Sequence, residues 1–94
     1  MEKITWSEIA LKDLANIHDF IARDSRSYAQ KFVEKIFSEV SSLNKFPLSG
    51  RIVPEFNDIS IREIIVGNYR IVYLVMGGVV TVIRINHSAR LLKK

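Results

Sequence analysis

The stretch Tyr69-Arg70-Ile71-Val72-Tyr73-Leu74-Val75-Met76 is followed by Gly77-Gly78 and then by Val79-Val80-Thr81-Val82-Ile83-Arg84-Ile85. Two runs dense in β-branched and aromatic residues, joined by two glycines that accept positive φ at no steric cost, read as a hairpin with a two-residue loop. Just upstream, Ile61–Val66 has the same makeup and reaches Tyr69 through Gly67-Asn68, a second tight turn. These three runs are expected to form an antiparallel meander.

Working towards the N-terminus, the apolar period changes from two to between three and four. Ser27 with Gln30 fits a capping box, and Ala29, Phe32, Val33, Ile36, Phe37, Val40 and Leu43 keep one apolar face for four turns. Phe46-Pro47 ends that helix, and Leu48-Ser49-Gly50 reads as loop. An earlier helix opens at Ser7 and carries Ala10, Leu14, Ile17 and Ile21 on its buried face. The break at Arg23-Asp24-Ser25-Arg26 is short, so the two helices are expected to pair as an antiparallel hairpin. Ile4-Thr5-Trp6 is a short β-prone opening. The expected architecture is α+β in the order β-α-α-β-β-β, with the helical hairpin packed on one face of the meander and one domain spanning residues 1–94.

Composition bounds the function classes. The chain has 94 residues, 48% hydrophobic and 26% charged, which is ordinary globular usage, and it contains no cysteine. No apolar run approaches the roughly 20 residues of a membrane span. The opening Met1-Glu2-Lys3-Ile4-Thr5-Trp6 lacks the basic-then-apolar layout of a signal peptide, so the expected location is cytoplasmic, with no membrane partner. The net charge of +4 is unevenly spread. Up to residue 49, Lys3, Lys12, Arg23, Arg26, Lys31, Lys35 and Lys45 are cancelled by Glu2, Glu8, Asp13, Asp19, Asp24, Glu34 and Glu39. Beyond it, Arg51, Arg62, Arg70, Arg84, Arg90, Lys93 and Lys94 face only Glu55, Asp58 and Glu63. A polyanion-facing surface, if the protein has one, is therefore expected in the C-terminal half.

Hairpin register places the candidate side chains. With both loops two residues long, Arg62 lies opposite Tyr73, Arg70 opposite Ile85 and Ile71 opposite Arg84. Arg62, Tyr73 and Arg84 then share one face of the sheet, while Glu63, Arg70 and His87 fall on the other. His18 and His87, with no cysteine between them, make no metal site, and no cofactor motif is present. What remains is a basic-aromatic sheet with a late His-Arg cluster. Cleavage of RNA by its 2′-hydroxyl needs a base, an acid and positive charge at the phosphate. Glu55 or His87 are candidates for proton transfer, Arg70, Arg62 or Arg90 for the phosphate, and Tyr69 and Tyr73 for base stacking. Each has a plainer reading: Glu55 pairs with Arg51, His87 is a structural strand-end residue, the tyrosines are core, Trp6 is core and His18 is solvated.

The order of these residues resembles a known family. Gly50-Arg51-Ile52-Val53-Pro54-Glu55, Ile61-Arg62-Glu63, Tyr69-Arg70-Ile71-Val72-Tyr73 and Val82-Ile83-Arg84-Ile85-Asn86-His87-Ser88-Ala89-Arg90 closely resemble the RelE/ParE superfamily of type II toxins, the plasmid-stabilisation proteins. Trp6, Ala10, Asp13-Leu14 and Ile17, and the Phe46-Pro47 to Gly50-Arg51 junction, look similar too. The resemblance implies the β-α-α-β-β-β fold and a partner antitoxin that covers the toxin. One branch consists of mRNA interferases, endoribonucleases that cut messenger RNA on the ribosome without metal. Its YoeB-like members use a strand arginine, a late histidine and a loop glutamate; Arg70 and His87 match the first two positions well, and Glu55 matches the third loosely. The resemblance implies these three as catalytic residues; on the interferase reading Arg51, Arg62, Arg84, Arg90, Lys93 and Lys94 are expected to hold RNA backbone or a partner, with Tyr73 a further contact. The sequence departs from RelE proper at Ile65 and Ser88, near positions where that branch carries arginine. The ParE branch inhibits DNA gyrase and has no agreed catalytic residues. The interferase is the first expectation and the gyrase inhibitor the alternative.

Overall fold

Ser7 both ends a strand and starts a helix. In the computed structural model, which describes residues 3–89 and Leu92, β1 spans Lys3–Trp6 and α1 spans Glu8–Ala22. The Ser7 hydroxyl accepts the Ala10 N–H at 3.0 Å, satisfying one of the orphan donors of the first turn. The second helix, α2, spans Arg26–Ser41, and its cap is Ser25 rather than Ser27: the Ser25 hydroxyl accepts the Tyr28 N–H at 3.1 Å. Ser25 has the extended backbone an N-cap requires, whereas Ser27 already lies inside the first turn. A 3-10 turn, Ser42–Asn44, tightens the end of α2 before Pro47.

The meander follows as β3 (Ile61–Val66), β4 (Tyr69–Met76) and β5 (Val79–His87), preceded by a two-residue edge strand β2 (Arg51–Ile52). The sheet order is β1-β5-β4-β3-β2. The meander is antiparallel, and β1 joins its far edge in parallel to β5. Both tight turns have two-residue loops, with Val66 opposite Tyr69 and Met76 opposite Val79, and Gly67, Gly77 and Gly78 all take positive φ.

One sheet face packs on the helices. Ala10, Leu14 and Ile17 of α1 and Phe32, Ile36 and Val40 of α2 share a core with Val66, Ile71, Val82 and Ile85. Each large aliphatic side chain buried there contributes about 1.5–3 kcal/mol. Trp6 packs against this core and lies 5.1 Å from Phe37, ring centre to ring centre.

Register corrects one expectation. Arg62 does lie opposite Tyr73, but Val72 pairs with Arg84 and Tyr73 with Val82, leaving Ile83 as a β-bulge. From that point Ile71 faces Ile85 and Arg70 faces Asn86. The extra residue exchanges two side chains between faces: Arg84 joins Glu63 and Arg70, and His87 joins Arg62 and Tyr73.

Candidate functional site

The face turned away from the helices carries a four-residue charge cluster. Arg51 on β2 lies directly opposite Glu63 on β3, and its Nε donates to Glu63 Oε2. Arg70 on β4 donates from Nε to Glu63 Oε1 at 2.7 Å. Its other edge is taken by Glu55, with Nη1 to Oε2 at 2.7 Å and Nη2 to Oε1 at 2.8 Å. This is a bidentate fork, the strongest form of side-chain ion pair. Arg70 and Glu63 are only 4% and 1% exposed, so both charges depend on their partners rather than on water. Glu55 Oε2 also accepts the backbone N–H of Leu92 at 2.9 Å. Hydrogen bonding from Arg70 first, and from Leu92 second, holds the Glu55 carboxyl down at about 2. Arg70 is correspondingly pushed up, chiefly by Glu55. Two guanidiniums and two carboxylates leave the cluster without net charge. Glu55 therefore pairs with Arg70 and not with Arg51.

Tyr73 is removed from the set of binding residues. Its side chain is fully buried on the helix-side face, where the hydroxyl accepts the Gly50 N–H at 3.0 Å and donates to the Pro47 carbonyl at 2.8 Å. No base can stack on a ring so enclosed. Gly50 has to be glycine here, because a Cβ would come within 2.5 Å of both the Glu63 carbonyl oxygen and the Tyr73 hydroxyl. Tyr69 is half-buried against Phe32, with ring centres 5.7 Å apart. Arg62 fastens the same junction, donating from Nε to the Ile59 carbonyl and from Nη1 to the carbonyls of Gly50 and Leu48.

Arg84 and His87 stand elsewhere. β1 ends before the last part of β5, and Asp13 of α1 fills the vacated edge: its Oδ2 accepts the Ile85 N–H at 2.9 Å and the Arg84 Nε at 3.0 Å. His87 is exposed, its Nδ1 accepting the Ala89 N–H at 3.2 Å and its ring meeting Tyr69 edge-on at 5.7 Å. It lines a cleft with Asn16, Phe20 and Tyr69, on the opposite face from Arg70. So the structure brings Glu55 to Arg70 and leaves His87 apart from both. Arg90, Lys93 and Lys94 lie outside the described residues. Sequence reading missed Asp13 as a strand-edge ligand and Glu63 as the centre of the cluster. Glu63 had one signal, an acid amid the apolar residues of a strand. Among the described residues no group of three or more His, Asp or Glu side chains is placed to hold a metal ion, and no helix is long and apolar enough to cross a membrane.

Comparison with known proteins bears on what this arrangement serves. Residues 4–92 match the family described as ParE toxin of type II toxin-antitoxin system, parDE. Over 92 residues, 97% of this chain and the whole of the other, the sequence is 35% identical to Toxin RelE2 of Caulobacter vibrioides. Among solved structures, the chromosomal ParDE system from P. aeruginosa superposes with a TM-score of 0.77 at 22% identity, covering 93% of this chain and 96% of that one. The YoeB/ParE toxin from Agrobacterium tumefaciens superposes with a TM-score of 0.64 at 21% identity, covering 90% and 96%. At these identities the two superpositions speak to the fold.

Proposed function

Because the chain belongs to the ParE toxin family of type II toxin–antitoxin systems, with an antitoxin as its implied partner, we propose that it arrests growth in the cytoplasm by binding and inhibiting DNA gyrase rather than by cutting RNA. The observation that supports this reading is the state of Arg70. A transition-state phosphate needs a guanidinium whose N–H donors point into an accessible site. Arg70 is buried, with Nη1 and Nη2 on Glu55 and Nε on Glu63. Freeing it means breaking the bidentate pair with Glu55 and taking one of two guanidiniums away from buried Glu63, a cost that an RNA substrate would have to offset. The one histidine on the last strand, His87, faces the other side of the sheet. Glu55 is a poor proton carrier near neutrality, since its carboxyl is held at about 2.

Two assays with the purified protein test the reading. Supercoiling of a relaxed plasmid by gyrase is expected to fall as toxin is added. Messenger RNA in a purified translation system is expected to stay intact. New 5′ ends at the ribosomal A site, absent without ribosomes, would overturn the proposal and return Arg70 and His87 to catalytic roles.

A further inference from the structure

Six arginines fall among the described residues, and four of them are engaged inside the fold. Arg51 and Arg70 hold carboxylates of Glu63 and Glu55, Arg84 holds Asp13, and Arg62 holds three backbone carbonyls. Arg23 and Arg26 are the two whose guanidiniums meet neither a carboxylate nor a carbonyl among the described residues. They line one open cleft at the turn between α1 and α2, together with Gln30, His18 and Asp19. The Arg23 guanidinium carbon lies 5.9 Å from the centre of the Phe20 ring, a cation–π contact that steadies the head group while leaving its N–H donors available. The one acid lining the cleft, Asp19, lies 3.3 Å from His18 Nδ1 through its Oδ1. The summed charge of the sequence places the positive surplus in the C-terminal half. Among the described arginines, the available guanidiniums are in the N-terminal half.

We infer that this cleft is a phosphate-binding site, formed by Arg23 and Arg26 with the Gln30 amide. A carboxylate has two oxygens, and one guanidinium fork engages both, as Glu55 on Arg70 shows. Two forks on one cleft suit an oxyanion with three or four oxygens and up to two charges, and arginine is the side chain matched to that geometry. The site shares no residue with the Arg70 cluster and stands whether or not gyrase is the target. Two sources supply phosphate oxyanions: a free phosphate compound, whose terminal group offers three oxygens to both forks, or a nucleic acid strand, in which two adjacent phosphodiesters take one fork each.

The full chain, labelled with nitrogen-15, is titrated with inorganic pyrophosphate and separately with a short DNA duplex at low salt. Saturable shifts are expected at the side-chain N–H signals of Arg23 and Arg26 and at the Gln30 amide. The double variant Arg23→Gln/Arg26→Gln is expected to bind roughly tenfold more weakly, with its melting temperature unchanged, while Lys45→Gln binds as the parent does. A duplex that binds well above pyrophosphate in affinity identifies the strand backbone as the source; equal affinity identifies free phosphate. Shifts that rise linearly without saturating, or a double variant that binds like the parent, would overturn the site.

Discussion

Arg70 and His87 sit one step apart across the β4–β5 ladder, yet they project from opposite faces of the sheet. Asn86 is the residue that pairs with Arg70, and Tyr69 is the one that pairs with His87. The separation has a direct consequence in cells. The variant His87→Ala is expected to arrest growth within about twofold of the parent at equal expression, because it removes an exposed ring that meets Tyr69 edge-on and accepts the Ala89 N–H. Arg70→Ala is expected to lose about 1–3 kcal/mol of stability, because buried Glu63 Oε1 loses its donor and Arg51 alone is left to balance the carboxylate among the described residues. Urea unfolding, read beside the growth curve, separates loss of fold from loss of function. A stable His87→Ala protein that no longer arrests growth would restore that residue to the mechanism.

The Glu55–Arg70 pair also sets an acid limit. A carboxyl whose folded value lies below its ordinary 4.5 adds stability that is fully present above 4.5 and is lost as pH falls towards the folded value of about 2. Melting temperature is therefore expected to fall across that window in the parent. In Glu55→Gln the fall is expected to be shallower, and parallel curves for the two proteins would refute the assignment.

Tyr73→Phe keeps the ring and removes the hydroxyl that joins Gly50 to Pro47. The buried Gly50 N–H is then left without its acceptor, and denaturant unfolding is expected to show a loss of about 1–3 kcal/mol. A variant as stable as the parent would mean that water replaces the hydroxyl.

Asp13→Ala tests how α1 is fastened to the open end of β5. The Ile85 N–H loses its carboxylate acceptor and the Arg84 guanidinium its partner. Hydrogen exchange at the Ile85 amide is expected to accelerate, while the Ile71 amide, in the middle of the sheet, keeps its protection. Equal acceleration at both sites would indicate global destabilisation instead.

A glycine at position 50 is demanded by space alone. Gly50→Ala would press a methyl group against the Glu63 carbonyl and the Tyr73 hydroxyl, each 2.5 Å away. Overpacking of this kind costs about 1–3 kcal/mol, measurable as a lower denaturant midpoint.

How much of this was legible in advance divides along a physical line. Sequence alone determined the order of elements apart from the two-residue strand β2, both two-residue turns, the Ser7 cap and most of the helix-side core, because each depends on residues within a few positions of one another. Periodicity showed that Ala10, Leu14 and Ile17 face inwards, and Gly77-Gly78 announced its own turn. Only the tertiary structure decided which charges meet. Asp13 reaches Arg84 across 71 positions of chain, and Glu55 reaches Arg70 across 15. One unpaired residue, Ile83, moved Arg84 to the Arg70 face and His87 away from it. A bulge has no local signature in an isoleucine. It sits where β5 pairs with β4 on one side and passes from β1 to Asp13 on the other, a setting that exists only in the assembled sheet.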